Sequence, residues 1–167
     1  NSNAVMESLR EQIKRQKMDA DVFLGGSVAK GTAVRKDAYD VDIFVRFDWE
    51  IDNISGLLER VVRAIASKGK FKLEKMHGSR DYFRIWKDNK TIFEIIPVTR
   101  IKNPREARNV TDLSYFHVNY VRKKIDKGNL AREIVLAKAF AKAHEVYGAE
   151  SYISGFSGYA LECLIIH

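Results

Sequence analysis

The sequence predicts an α+β fold, in which a small mixed β-sheet with helices on one face is followed by a helical region. Three observations lead to this prediction. Short segments with alternating apolar residues, typical of strands, occur before Pro97. Amphipathic helical patterns lie between them, and helical patterns follow Pro97. Hydrophobic residues make up 46% of the chain, enough to bury a core.

The spacing of apolar residues places the elements of the first part of the chain. Met6, Leu9 and Ile13 recur at helical spacing, and the residues after Asp40 alternate as in a half-buried strand. The predicted elements are a helix over 5–18, a strand over 22–24, a short helix over 28–34 and a strand over 40–47.

Capping and turn residues place the later elements. Gly69 is expected to close a helix, and Asp88-Asn89-Lys90 is expected to join two strands as a hairpin. The predictions are a helix over 52–68, strands over 71–74, 82–87 and 91–98, and helices capped by Asp112, Asn129 and Ser157.

Composition narrows the class of protein. The formal net charge of +7 favours a polyanionic partner such as a nucleic acid or a nucleotide. Cys163 is the single cysteine, which excludes an intramolecular disulfide framework and suits a reducing compartment. No apolar run approaches the roughly 20 residues of a membrane-spanning helix. A soluble, cytoplasmic protein that does not bind a membrane is therefore expected.

The first and last residues of the sequence are used to predict the domain boundaries. Residues 1–4 resemble the remnant of an expression tag, and residues 160–167 end the sequence within an apolar run. We therefore expect a piece of a longer protein. Its predicted parts are a catalytic domain over 5–100 and, over 101–167, the start of a second, helical domain that is cut short.

Acidic residues are the most informative feature of the predicted sheet. Asp40 and Asp42 lie two apart on a strand, so their side chains leave the same face with Cα atoms about 6.5–7 Å apart. Glu94 interrupts an otherwise apolar strand, so its carboxylate must face solvent, a basic side chain or a metal ion. Three acids on adjacent strands would hold two Mg²⁺ ions roughly 3.5–4 Å apart. The alternative is that both aspartates simply face water at a strand end.

A glycine-containing loop precedes these acids. Gly25-Gly26-Ser27 joins a predicted strand to a short helix, so its backbone amides and the serine hydroxyl can hold phosphate oxygens. A simple strand-to-helix turn is the alternative. The order Lys30-Gly31-Thr32 differs from the Gly-Lys-Ser/Thr of the P-loop, which excludes that motif.

Lys138 lies in a helix whose neighbouring residues are largely apolar. A buried ammonium group is costly unless an anion accompanies it. The sequence therefore predicts that Lys138 reaches a phosphate group of a nucleotide held by Gly26 and Ser27, without contributing to the stability of the nucleotide-free chain. His117 and Tyr147 carry no comparable signal, since each can be an ordinary packing residue.

Taken together, Gly26-Ser27, the Asp40-Val41-Asp42 pair and a later acid resemble the DNA polymerase β nucleotidyltransferase superfamily. Further segments in the same order resemble the archaeal (class I) CCA-adding enzymes, which are tRNA nucleotidyltransferases. Those segments are Gly26–Thr32, Glu94–Val98, Phe116-His117, Lys138–Phe140, Val146–Glu150 and Gly155–Tyr159.

The resemblance implies roles for individual residues. Asp40, Asp42 and Glu94 match the catalytic metal ligands, and the family more often has Asp where Glu94 stands. Residues that match the nucleotide site are Gly26, Ser27, Lys30 (in place of a usual Arg), Ser114 (near the sugar), His117, Lys138 and Tyr147. The implied cofactor is a pair of Mg²⁺ ions, and the implied partners are ATP, CTP and a tRNA or other RNA 3′ end.

The expected reaction is the template-independent transfer of CMP and AMP to an RNA 3′ end, as in tRNA CCA addition. Two other functions fit the sequence. One is a stand-alone nucleotidyltransferase that modifies a small molecule or a protein. The other is a non-catalytic RNA-binding module of the same fold, which the presence of all three acids disfavours.

Overall fold

The computed structural model describes residues 2–34, 39–88, 91–125, 129–149 and 152–167. The chain divides into two compact units, which we call the sheet unit and the helical unit. The sheet unit comprises residues 1–26 and 37–114, and the helical unit comprises residues 27–36 and 115–167. The predicted domain boundary near residue 100 stays a prediction.

The sheet unit is built on one five-stranded sheet. Its strands are β1 (Ala20–Leu24), β2 (Tyr39–Phe47), β3 (Lys72–Met76), β4 (Tyr82–Asp88) and β5 (Thr91–Thr99). They lie in the order β1-β2-β5-β4-β3, with β2 and β5 parallel and the other neighbours antiparallel. This mixed sheet confirms the predicted fold class. Asn89 and Lys90 of the predicted hairpin turn lie outside the described residues.

The helices described are α1 (Ser2–Arg15), α2 (Gly26–Lys30), α3 (Ile54–Gly69), α4 (Ser114–Ile125), α5 (Leu130–Ala143) and α6 (Gly158–Ile166). In the sheet unit, α1 and α3 contact each other and the sheet. Their apolar faces and the apolar face of β2 form a core that includes Leu9, Val41, Ile43, Val45, Phe47, Leu58, Val61, Val62 and Ile65. Among the described residues, no helix is both long and apolar enough to cross a membrane.

Two helix ends differ from the predictions. α1 begins at Ser2, inside the segment interpreted as a tag remnant, and ends at Arg15 because Lys17 adopts a left-handed conformation with φ of 51°. At the end of α3 the left-handed residue is Lys70, with φ of 52°, whereas the prediction assigned the stop to Gly69. Gly69 stays helical, and a Cβ added to it would lie 2.2 Å from the Phe71 ring.

Asp112 was predicted to cap the helix that ends near Ile125, and the structure gives it another role. It lies inside a 3₁₀ turn, Val110–Leu113, whose N-cap is Asn109, and α4 begins only at Ser114. Its buried carboxylate pairs with the Arg80 guanidinium and accepts hydrogen bonds from backbone amides, including that of Thr99 at 2.7 Å. Asp112 therefore fixes this turn to the sheet.

The later helix starts agree in part with the predicted caps. The Ser157 side chain accepts a hydrogen bond of 3.1 Å from the Ala160 amide at the start of α6, as predicted. Asn129 occupies the N-cap position of α5, but its side chain makes no capping hydrogen bond.

Candidate active site

The three predicted acids lie on adjacent strands of the sheet unit. In the parallel pairing of β2 with β5, Asp42 is directly opposite Glu94, and Asp40 precedes Asp42 by two residues on the same face of β2. Asp40 is exposed, while Asp42 and Glu94 are half-buried. Their strand neighbours Ile43 and Phe93 point the other way and are buried. Strand alternation and pairing thus bring all three carboxylates to one face of the sheet.

The backbone of the glycine loop lies against the Asp42 carboxylate. Gly26 has φ of +62°, and a Cβ added to it would lie 1.7 Å from Asp42 Oδ2. The preceding residue, Gly25, donates its amide to the Asp42 carbonyl oxygen at 2.8 Å. Only glycine allows this approach, because any side chain at position 26 would occupy the space of the carboxylate.

Glu94 has a cationic partner that the sequence prediction did not include. Arg84, directly opposite Glu94 on β4, donates from Nε at 2.8 Å and from Nη2 at 2.7 Å to Glu94 Oε1. This hydrogen bond raises the pKa of Arg84, against the effect of burial. Glu94 therefore shares one carboxylate oxygen with a guanidinium group that stays charged.

The negative charges of the three acids affect one neighbouring side chain, that of Tyr82. Burial raises the pKa of Tyr82, and the negative charges of Glu94, Asp40 and Asp42 raise it further.

Carboxylate oxygens are the donors that Mg²⁺ prefers, so the donor set of Asp40, Asp42 and Glu94 fits a divalent cation. Within the described ranges, however, no three His, Cys, Asp or Glu side chains are gathered as in a preformed metal site. Glu94 is hydrogen-bonded to Arg84.

The helical unit contains a buried ionic cluster, formed by Lys30, Thr32, Lys138 and Glu162. The Glu162 side chain on α6 has no exposed surface. Its Oε1 accepts hydrogen bonds from Lys138 Nζ at 2.6 Å and from Thr32 Oγ1 at 2.7 Å. Its Oε2 accepts a hydrogen bond from Lys30 Nζ at 2.6 Å. One carboxylate thus joins α2, α5 and α6.

Lys138 is 2% exposed, and its ammonium group is saturated by protein acceptors. It donates to Glu162 Oε1, to the Thr32 carbonyl oxygen at 3.2 Å and to Thr32 Oγ1 at 3.0 Å. A lysine has three N–H donors, and three acceptors surround this one. The anion that the sequence argument required is therefore Glu162 in this structure. Contact between Lys138 and a phosphate group stays a prediction.

Electrostatics within the cluster favour the ionised carboxylate. Burial alone would raise the pKa of Glu162, but Lys30, Lys138 and Thr32 together lower it. For Lys138, burial lowers the pKa, and Glu162 opposes that effect. The charged cluster holds two ammonium groups against one carboxylate.

His117 and Tyr147, two further predicted nucleotide-site residues, also lie in the helical unit. The His117 ring stacks on Tyr159 with centroids 3.8 Å apart, and burial, together with the charge of Lys30, lowers the pKa of His117. The lowered pKa favours the neutral imidazole of His117, which can donate one hydrogen bond without carrying charge. The backbones of Tyr147 and Phe156 form an isolated parallel β-bridge. The Tyr147 hydroxyl lies close to Gly158, since a Cβ added to that glycine would be 2.6 Å from the hydroxyl oxygen.

The structure groups the predicted residues in two sets. In the sheet unit, Asp40, Asp42 and Glu94 share one face of the sheet, with the Gly26 backbone against Asp42, and in the helical unit Lys30 and Lys138 share the buried cluster. Ser27 begins the helical unit directly after Gly26, and Ser114 is the last residue of the sheet unit. Sequence reasoning missed Glu162, although the argument applied to Lys138, that a buried charge in an apolar helix needs a partner, applies equally to it. Arg84 had no comparable signal.

The family of this chain follows from its sequence matches. Residues 6–116 match the nucleotidyltransferase domain family, and residues 132–167 match the family described as tRNA nucleotidyltransferase, second domain. The first match covers more than half of the sequence. The chain belongs to the nucleotidyltransferase domain family.

Similar curated proteins narrow the class further. The CCA-adding enzyme of Nanoarchaeum equitans is 44% identical over 149 residues, which cover 88% of this chain and 36% of that enzyme. The CCA-adding enzyme of Aeropyrum pernix is 34% identical over 147 residues, covering 87% of this chain and 31% of that enzyme. These matches confirm the resemblance to archaeal CCA-adding enzymes. The chain spans about a third of the length of these relatives.

Comparison of structures supports the same fold. Terminal uridylyl transferase 4 from Trypanosoma brucei, solved with bound UPU, superposes with a TM-score of 0.70 at 14% sequence identity. The match covers 99% of this chain and 52% of the other. At this identity the likeness establishes the fold alone.

Proposed function

We propose that this chain is the nucleotidyl-transferring part of a CCA-adding enzyme. It transfers CMP and AMP from CTP and ATP to the 3′ end of tRNA. The observation that carries the proposal is the placement of Asp40, Asp42 and Glu94 on one face of two parallel strands, with the Gly26 backbone against Asp42. Similarity to two archaeal CCA-adding enzymes supports tRNA as the acceptor.

The three carboxylates are proposed to hold two Mg²⁺ ions. Such ions, when bound, lower the pKa of an attacking 3′-hydroxyl and neutralise charge on the leaving pyrophosphate. Asp40 and Asp42 present oxygen donors from one strand, and Glu94 Oε2 lies outside the contacts with Arg84. Arg84 orients the Glu94 side chain from the neighbouring strand.

The nucleotide is proposed to be held by the loop after β1 and by cationic and polar groups of the following elements. The Gly26 and Ser27 amides and the Ser27 hydroxyl bind phosphate oxygens. Lys30 supplies charge, His117 donates a hydrogen bond, Ser114 contacts the sugar, and Tyr147 completes the site. Lys138 reaches a phosphate group by exchanging one of its acceptors on Thr32 and Glu162 for it. Residues 5–100 form the catalytic domain in this proposal, and residues 101–167 begin a second domain.

Substitution of the acids tests the proposal. Asp40→Ala, Asp42→Ala and Glu94→Ala should each abolish incorporation of label from ATP and CTP into tRNA that lacks its 3′ end. The losses should not add, because each variant disables the same site. Asp52→Ala is the matched control, since the Asp52 side chain is 96% exposed. Near-normal transfer by any of the three variants would remove that residue from the site.

The acceptor is tested separately with the same chain. Calorimetry should show binding of ATP with Mg²⁺ more readily than binding of tRNA, because the loop and carboxylates are complete here. Tight tRNA binding without nucleotide binding would instead favour a non-catalytic RNA-binding module. Incorporation of label into a protein or small molecule, but not into tRNA, would favour a different nucleotidyltransferase.

A further inference from the structure

Glu162 holds the segment that follows the glycine loop. That segment, residues 27–34, contributes Lys30 and Thr32 to the buried cluster, and both contact the Glu162 carboxylate. Glu162 lies about 130 residues further along the chain, as the separations of 132 and 130 show. The contact is therefore a long-range tie between α6 and the start of the helical unit.

Lys30 and Lys138 differ in how many of their N–H donors are used by protein acceptors. Lys138 uses three N–H donors on Glu162 and Thr32. Among the described residues, the hydrogen-bond acceptor of Lys30 is Glu162, and the Tyr159 ring lies 5.6 Å from its Nζ. Because an ammonium group carries three N–H donors, Lys30 keeps donors for an external anion. Lys138 has none left in this structure.

The charge of the cluster also favours an anion. Two ammonium groups face one carboxylate, so a single positive charge is left in a buried place. An uncompensated buried charge is costly, and an anion that approaches Lys30 would reduce that cost. A phosphate group is the matching ligand if the chain binds nucleoside triphosphates as proposed above.

We infer that Glu162 is a positioning residue for phosphate binding. It anchors residues 27–34 through Lys30 and Thr32, and it fixes the Lys30 ammonium so that the remaining donors meet a phosphate group. Lys138 supports this arrangement by neutralising Glu162 and by binding the Thr32 carbonyl oxygen. The inference rests on the proposed nucleotide binding for its second part, whereas the anchoring concerns the nucleotide-free chain.

Hydrogen exchange of the nucleotide-free chain tests the anchoring. The Thr32 amide donates to the Ser27 carbonyl oxygen at 2.9 Å, so its exchange rate reports the order of the segment. Glu162→Gln keeps the side-chain shape but cannot accept from both lysines. It should speed exchange of this amide at least tenfold, while Glu133→Gln, an exposed acid on α5, should not change it.

Binding of ATP with Mg²⁺ tests the link to Lys30. Glu162→Gln and Lys30→Met should each weaken binding, by about 10- to 100-fold, the worth of a hydrogen bond to a charged group. The double variant should lose less than the sum of the two single losses, because part of the effect of Glu162 is transmitted through Lys30. Additive losses would mean that Glu162 affects binding by another route, and the inference would be wrong.

A milder variant, Thr32→Val, tests the anchoring if Glu162→Gln does not fold. Thr32→Val removes the hydroxyl that bridges Lys138 and Glu162 but keeps the side-chain shape. Hydrogen exchange over residues 27–34 is then measured in Thr32→Val. A folded Thr32→Val chain with faster exchange over residues 27–34 supports the anchoring, and unchanged exchange overturns it.

The two proposals fail in different ways. If the parent chain binds no ATP, the proposed function and the phosphate-binding part of the inference both fail, and hydrogen exchange still decides whether Glu162 anchors the segment. If the parent binds ATP but Glu162→Gln leaves exchange and affinity unchanged, the proposed function stands and the inference is wrong.

Discussion

Gly26→Ala should separate the steric demand at the Asp42 carboxylate from the general cost of left-handed backbone. Gly26 has φ of +62°, and Gly31 has φ of +70°. A Cβ added to Gly26 would lie 1.7 Å from Asp42 Oδ2, whereas one added to Gly31 would meet no atom within 4 Å. Gly31→Ala is therefore a matched control with the same backbone strain and no clash.

The expected magnitudes follow from this comparison. Alanine in the left-handed region costs about 1–2 kcal/mol, so Gly31→Ala should lose about that much unfolding free energy and Gly26→Ala at least that much. In Gly26→Ala the Asp42 carboxylate or the loop must also retreat by roughly 1 Å or more to restore normal contact. A displacement of that size in a catalytic group lowers the rate on the order of 100-fold.

The assay pairs urea denaturation with the initial rate of labelled AMP transfer from ATP to an RNA 3′ end. Gly26→Ala should lose roughly 100-fold in rate, and Gly31→Ala should stay within a few-fold of the parent. Equal rate losses in the two variants would show that backbone strain alone is responsible. An unchanged rate in Gly26→Ala would show that the position of Asp42 does not matter for transfer.

Three further predictions concern stability. Lys138→Met should lower the unfolding free energy of the nucleotide-free chain by about 2–4 kcal/mol in urea, because Glu162 loses a buried partner; unchanged stability would restore the original sequence prediction. Asp112→Asn should cost about 3 kcal/mol by the same assay, against less than about 0.5 kcal/mol for exposed Asp52→Asn, and equal losses would contradict this account. The lowered pKa of folded His117 contributes stability that is present above about pH 6.5 and is lost as the pH falls through the folded pKa. The stability difference between the parent and His117→Phe should therefore change over that range, and a constant difference would contradict the shift.

Local patterns in the sequence determined the elements and part of the candidate site. The alternation after Asp40 sets which side chains share a face of β2, because successive residues of any strand point to opposite sides. For that reason Asp40 and Asp42 could be paired before the neighbouring strand was known. The strand-to-helix turn at Gly26 was likewise visible, since its glycines mark a place of close backbone approach.

Helix ends show where local reasoning stopped. The apolar spacing of α3 predicted its buried face, including Leu58 and Ile65. The left-handed residue after the helix is nevertheless Lys70, and Gly69 stays helical, where an added Cβ would lie 2.2 Å from the Phe71 ring. Asp112 similarly has the sequence of a helix cap but is bound by Arg80, a residue 32 positions away. At Asp112 a tertiary ion pair outweighed a local preference, whereas the end of α3 differs from the prediction by one residue within local structure.

Only the tertiary structure decided the partners of the charged groups. Glu94 lies opposite Asp42 and Arg84 because of the strand order β2-β5-β4, which no local spacing specifies. Lys138 was known from its apolar neighbours to need an anion, but the sequence did not say which one. The structure supplies Glu162, since a buried charge is neutralised by whichever opposite charge the packing of distant helices brings within hydrogen-bond reach.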